Sequence, residues 1–227
     1  FRIADNKFVR LSDDALRTVS VVGHDRAAFG VDTREYDQPA SYSGRRFEDF
    51  YSVDLATGQR KLLMKKRPVS ATLPEPSGKR VLYWGEDGNW WVMDLASGDR
   101  KSVTKGVPAV FTDTSDDHNP LIAPPNAALG WTKDGSAVLL SDGFDVWKVP
   151  VNGGTAVNLT VDGKSKGIRY QRLYSFETAG ATGGGRGGRG GRGGGAFADG
   201  VDLSKPMYFG TYGERTKKEG LAKVDPS

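Results

Sequence analysis

The sequence predicts an all-β protein assembled from repeated four-stranded units, on the strength of an internal repeat, glycine turns between alternating strands, and composition. Tyr51-Ser-Val-Asp54-Leu-Ala-Thr-Gly58-Gln-Arg60-Lys61 aligns without gaps on Trp91-Val-Met-Asp94-Leu-Ala-Ser-Gly98-Asp-Arg100-Lys101, eleven residues at an offset of 40. That period suits one blade of a β-propeller, about 40 to 45 residues. A looser third copy, Val146-Trp147-Lys-Val149-Pro-Val-Asn-Gly153-Gly154-Thr-Ala-Val157-Asn-Leu159-Thr, has the same aromatic strand, glycine turn and closing strand. Its larger offset needs an insertion, which the Pro-rich stretch 120–125 supplies.

Each copy reads as a hairpin. Trp91 and Met93 fall on one face of a strand and Val92 on the other; Asp94 opens a turn whose glycine accepts positive φ, and a second strand follows. A further hairpin precedes each copy. Ser77-Gly78-Lys79 leads into Arg80-Val-Leu-Tyr-Trp84, and Lys133-Asp134-Gly135 into Ser136-Ala-Val-Leu-Leu140. Asp-Gly between alternating strands is a strong hairpin signal. Two hairpins make the four strands of a blade.

Along the chain this predicts a partial blade at 1–17, with Phe1 to Leu11 as two strands around an Ala4-Asp5-Asn6-Lys7 turn. Blades follow at about 18–66, 69–106 and 128–161. A last partial blade at 168–227 has strands near 168–176, 205–212 and 219–225, interrupted by a flexible Gly/Arg-rich loop at 180–200. Almost no helix is expected. Joining the two partial blades would close a four-bladed ring; a segment of a larger propeller is the alternative, and a β-sandwich with two similar hairpins is the non-propeller reading. Because Phe1-Arg2-Ile3 reads as the end of a strand and the sequence does not begin with Met, the native start and any export signal are expected upstream.

The 227 residues suffice for a sizeable core, and 37% apolar with 26% charged residues is an ordinary globular balance. No apolar run approaches the ~18 to 20 residues of a membrane-spanning helix. Without cysteine there is no disulfide, thiolate metal site or cysteine nucleophile. Three arginines of one glycine tract, Arg186, Arg189 and Arg192, account for most of the net charge of +4, so the remainder is nearly neutral.

At Asp116-Asp117-His118-Asn119 and in the segments that follow, the chain resembles a known family, and the likeness covers nearly the whole chain except the glycine tract. Leu129-Gly130-Trp131-Thr132-Lys133-Asp134-Gly135, Val138-Leu139-Leu140-Ser141-Asp142 and Val146-Trp147-Lys148-Val149-Pro150 are similar to the propeller of bacterial prolyl oligopeptidase-family serine peptidases. Asn158-Leu159-Thr160 through Gly167-Ile168-Arg169-Tyr170, then Asp202-Leu203-Ser204-Lys205-Pro206, continue the likeness. The resemblance implies a non-catalytic segment that gates peptide access to a C-terminal α/β-hydrolase domain and docks that domain, in a periplasmic or secreted enzyme. The alternative is a stand-alone propeller that binds a protein partner. The triad is not implied here: a nucleophile elbow needs Gly-x-Ser-x-Gly, and no such pentapeptide occurs. The hydrolase domain is expected beyond Ser227, so the chain alone is not expected to be catalytic.

Asp116, Asp117 and His118 form the acidic cluster that contains a histidine. Carboxylate and imidazole suit a divalent ion or acid–base work, yet adjacent residues point apart and His24 is the only other histidine. The expectation is therefore a loop contacting substrate or the partner domain, with a capped surface turn as the bland reading and no metal, cofactor or catalytic residue. Trp84, Trp90, Trp91, Trp131 and Trp147 are read as packing between blades rather than as a binding surface. Arg60-Lys61 and Arg100-Lys101 are read as solvated strand ends. The tract 183–195 resembles the RGG segments of RNA-binding proteins; with three arginines and no interleaved aromatics, nucleic acid is not expected as a partner.

Overall fold

The computed structural model describes residues 6–117, 122–174 and 199–226. The glycine tract, His118 and residues 1–5 of the expected first partial blade lie outside the described residues. The remainder is all-β, in four antiparallel, blade-like sheets whose strands follow one another in chain order. The chain divides into two compact units, Phe1–Ser102 with Asp116–Pro124, and Val103–Ser115 with Pro125–Ser227.

In the first unit, β1 (Thr18–Val22), β2 (Ala27–Asp32), β3 (Phe47–Val53) and β4 (Arg60–Pro68) make one sheet, and β5 (Thr72–Pro74), β6 (Arg80–Trp84), β7 (Trp90–Asp94) and β8 (Arg100–Ser102) the next. Alternation explains the pairing: Phe29 and Phe50 stack at 5.0 Å and pack with Val81, Tyr83, Met93 and Leu95 of the second sheet. Burying each such large side chain stabilises the unit by about 1.5–3 kcal/mol. On the other face Leu16, Ala28 and Val53 form a smaller cluster. The two sheets meet backbone to backbone where Gly23 crosses Gly78: a Cβ on Gly23 would lie 2.5 Å from the Gly78 Cα. Only glycine permits that approach, and both residues have positive φ.

The repeat recognised in the sequence becomes one turn built twice. Asp54 N–H donates to Gln59 O and Gly58 N–H to Asp54 O, and Asp94, Asp99 and Gly98 repeat the pattern. Gly58 and Gly98 carry φ of 73° and 87°. A third instance has no glycine at that position: Gly213 N–H donates to Lys218 O and Lys217 N–H to Gly213 O, with Lys217 at φ 56°. The sequence hides it because glycine replaces the aspartate and lysine the left-handed glycine.

The helix α1 (Arg34–Ser43) between β2 and β3 departs from the near-absence of helix expected. Pro39 lies inside it and reads as a breaker. The helix forms nonetheless because Glu35 and Asp37 complement its N-terminal dipole, Gly44 closes it in a left-handed cap donating to Ala40 O, and Tyr36 is buried. Tyr36 also meets Phe47 edge-on at 6.0 Å. Tertiary contact overrides local propensity here.

In the second unit, β9 (Ala128–Trp131), β10 (Ala137–Ser141), β11 (Val146–Pro150) and β12 (Val157–Asn158) form one sheet. After the short helix α2 (Gly163–Lys166), β13 (Ile168–Tyr174), β14 (Met207–Gly213) and β15 (Glu219–Val224) form the other, with three strands. Leu139, Val146, Tyr170, Leu173, Val201, Met207 and Phe209 bury a common core between them.

Candidate functional site

The loop leading to the acidic cluster rises from a pinned base. Thr112 bridges Pro125, Asn126 N–H donates to Phe111 O at 2.7 Å, and the Asn126 amide donates to Thr112 O at 3.1 Å. Asp113 then accepts the backbone N–H and the hydroxyl of Ser115 at 2.9 and 2.6 Å, a local cap favoured by aspartate at turns. Beyond it Asp116 is half-buried and Asp117 exposed. His118, the third candidate, lies outside the described residues. Among the described residues no group of three or more His, Cys, Asp or Glu is placed to hold a metal ion.

Sequence reasoning missed a set of enclosed polar groups in the first unit. β3 carries Glu48 and Asp49 side by side, and both are buried. Glu48 accepts from the Arg67 guanidinium on β4, and both side chains are at most 7% exposed. Arg67 is also stacked over the rings of Phe50 at 5.2 Å and Tyr83 at 5.7 Å. The register between β3 and β4 shifts between Glu48 and Phe50, and Lys66, at φ 52°, donates its backbone N–H to Asp49 at 2.8 Å. Tyr36 donates its hydroxyl to the same carboxylate at 2.6 Å. Burial, then the bond to Asp49, pushes the Tyr36 hydroxyl well above the usual phenol range. The pattern Phe-Glu-Asp-Phe could have signalled the bulge, since two adjacent acids cannot both face solvent in a regular strand without exposing Phe47 or Phe50.

The second unit has its own polar centre. Buried Asp145 accepts the Thr160 hydroxyl at 2.6 Å and the Gly163 N–H at 2.9 Å, fixing the start of α2. Tyr170 donates to Asp162 at 3.0 Å; burial first and then this bond push its hydroxyl up to about 12. Arg169 pairs with Glu214 at 2.7 Å and lies 4.7 Å over the Phe144 ring. These groups satisfy one another.

The tryptophans divide. Trp84, Trp90 and Trp131 are at most 2% exposed, and Trp84 donates its indole N–H to Ala123 O at 2.9 Å. Trp91 and Trp147 are half-buried, their indole N–H groups held at 2.9 Å by Asp87 and Asp142. Arg60 and Lys61 are not simply solvated strand ends. Arg60 pairs with Asp13 at 2.9 Å, and Lys61 donates to the carbonyls of Ala96 and Ser97 at 2.8 and 3.1 Å. The turn of the next sheet offers those carbonyls, a partner invisible in the strand's own sequence.

No family model matches the chain, and no curated protein matches it. Among solved structures it is similar to a puromycin hydrolase mutant complexed with PGG, at 13% identity and a TM-score of 0.45, covering 96% of this chain and 31% of that one. It is also similar to Porphyromonas gingivalis dipeptidyl peptidase 4, at 11% identity and a TM-score of 0.44, over 92% of this chain and 33% of the other. A third likeness is to Pyrococcus horikoshii acylaminoacyl peptidase, at 14% identity and a TM-score of 0.34, over 98% and 26%. The chain spans about a third or less of the length of these structures. At such scores the likeness is loose and decides neither activity nor site.

Proposed function

We propose that this chain is the non-catalytic propeller portion of a prolyl oligopeptidase-like serine peptidase, gating peptide access and docking a C-terminal α/β-hydrolase domain. The observation that carries this reading is the ordered run of family-like segments from Asp116 to Pro206. They fall in succession on the acidic loop, β9, β10, β11 and the stretch from β12 to β13, with blade-like sheets throughout. A single short motif recurs by chance; a long series in order is far less prone to do so.

In this reading Asp116, Asp117 and His118 contact substrate or the partner domain, and a periplasmic or secreted location follows from the same resemblance. Acyl transfer requires a nucleophile, a base within hydrogen-bond reach and an oxyanion hole, and the sequence offers no Gly-x-Ser-x-Gly elbow to supply them. The test compares this chain with the full-length gene product on short chromogenic peptides and with a serine-directed fluorophosphonate label. Turnover and labelling by the longer protein alone support the reading. Turnover by this chain that is lost in His118→Ala overturns it, and a full-length product with neither activity leaves the stand-alone binding module as the better account.

A further inference from the structure

We propose that Asn152 is a self-modifying site, converting to aspartate and isoaspartate through a succinimide formed with the Gly153 nitrogen. The observation behind this is a missing clamp in the third copy of the repeated turn. In the first two copies the leading aspartate holds the turn's N–H groups: Asp54 accepts from Ala56 and Thr57 at 2.9 and 2.7 Å, and Asp94 from Ala96 and Ser97 at 2.9 and 2.8 Å. Strand register fixes the correspondence. Trp91 pairs with Ser102 and Val92 with Lys101, as Trp147 pairs with Asn158 and Lys148 with Val157. Pro150 therefore stands where Asp94 stands, Asn152 at Ala96 and Gly153 at Ser97.

Proline has no carboxylate, so the Gly153 N–H has lost its acceptor. Among the described residues neither that N–H nor the Asn152 carboxamide is hydrogen-bonded, and residues 152–155 are all exposed. Gly153 and Gly154, at φ 108° and 120°, leave the backbone free of Cβ hindrance on the C-terminal side. The atoms then balance. The Gly153 nitrogen gives its proton to solvent base and bonds to the Asn152 Cγ; the Cγ–Nδ2 bond breaks and ammonia leaves. Solvent water opens the ring at either carbonyl, giving aspartate or isoaspartate. The reaction accelerates with pH because the attacking nitrogen must be deprotonated.

The other asparagines lack one or both requirements. Asn89, Asn126 and Asn158 precede Trp90, Ala127 and Leu159, and each has its carboxamide engaged: Asn89 with Asp87, Asn126 with Thr112 O, and Asn158 with the N–H groups of Thr160 and Val161. Asn6 precedes Lys7, and Asn119 precedes Pro120, which has no N–H to attack with. Asn152 is the only asparagine of the sequence followed by glycine.

The purified chain is held in mildly alkaline buffer at body temperature, and tryptic peptides are followed by mass and by isoaspartyl methyltransferase labelling. Conversion is expected at Asn152 well ahead of Asn126 and Asn158. Pro150→Asp restores the clamp and slows it about fivefold, the factor one net hydrogen bond supplies. The converse variant, Ala96→Asn with Ser97→Gly, places Asn-Gly in the turn that Asp94 holds and converts more slowly than Asn152, a comparison that stands even if Pro150→Asp fails to fold. Conversion at Asn152 no faster than at Asn126 and Asn158, or as fast in the clamped Asn-Gly as at Asn152, overturns the proposal.

Discussion

The two sheets of the first unit solve one problem differently. The β5–β8 sheet joins its central strands through residues 85–89 and fills its centre with Val81, Leu82, Trp84 and Met93, all at most 2% exposed. The β1–β4 sheet spends residues 33–46 on the same connection, inserts α1 there, and buries Glu48, Asp49 and Arg67. A meander tolerates both, because strand pairing and inward apolar faces are set within each sheet while the connection lies outside it. The β5–β8 sheet, dry at its centre although buried Glu75 just past β5 pairs with Arg80 at 2.8 Å, depends on packing, and the polar β1–β4 sheet depends on its buried Glu48–Arg67 pair, so they should fail in different ways.

The largest expected effect comes from breaking the polar sheet's ion pair. Glu48→Gln leaves the Arg67 charge buried without its counter-charge and should cost about 3 kcal/mol, whereas the double change Glu48→Leu with Arg67→Met should cost much less. In the dry sheet Leu82→Ala should also cost about 3 kcal/mol, with no second change to relieve it except refilled volume. Urea denaturation of the four proteins checks this. A double variant no better than Glu48→Gln would break the distinction.

Next is the anchoring of α1. Tyr36→Phe removes the hydroxyl that Asp49 accepts and leaves a buried carboxylate short of one donor, at about 1–2 kcal/mol. The loss should be local. Hydrogen exchange should quicken across residues 34–43 while β6 and β7 keep their protection.

Acid should sharpen the contrast through the surface aspartates. The Arg60 side chain holds Asp13 down to about 2 from 3.8, Arg34 lowers Asp32, the Thr57 hydroxyl and N–H lower Asp54, and the Ser97 N–H lowers Asp94. Each has a folded-state pKa below its unfolded value, so its contribution is present above about pH 4 and is lost as pH falls through the folded value, toward about 2 for Asp13. Three of the four belong to the first sheet and its flank. Hydrogen exchange in that window should show residues 11–22 opening before β6 and β7, less sharply at high salt, where exposed pairs are already screened.

The smallest effect concerns the hidden third turn. Lys217→Gly relieves a left-handed lysine at φ 56° and should stabilise by about 0.5–1 kcal/mol, whereas Gly98→Ala at φ 87° should destabilise by a similar amount. Thermal melts of the two variants give opposite signs if the turns are equivalent.

How much of this was legible follows from particular residues. Trp91-Val-Met-Asp94 and Gly98 reveal a hairpin because alternation and a left-handed glycine are properties of a few consecutive residues. The same holds for Asp134-Gly135 and for the strand signals near 168, 205 and 219. For the candidate loop, the residue types at Asp116 and Asp117 were legible, while their half-buried and exposed settings needed the backbone.

What the sequence by itself determined is local: strand alternation, the repeated Asp-to-Gly turn, and the all-β class that both require. Only the tertiary structure decided that a segment containing Pro39 is a helix, that Lys217 stands in a glycine's conformation, that Gly23 and Gly78 share a seam, and that Glu48 meets Arg67. Each of those depends on a partner distant in the chain or on a strained φ held by surrounding bonds. Periodicity reports which face a residue occupies, but the groups that close on that face are brought there only by folding.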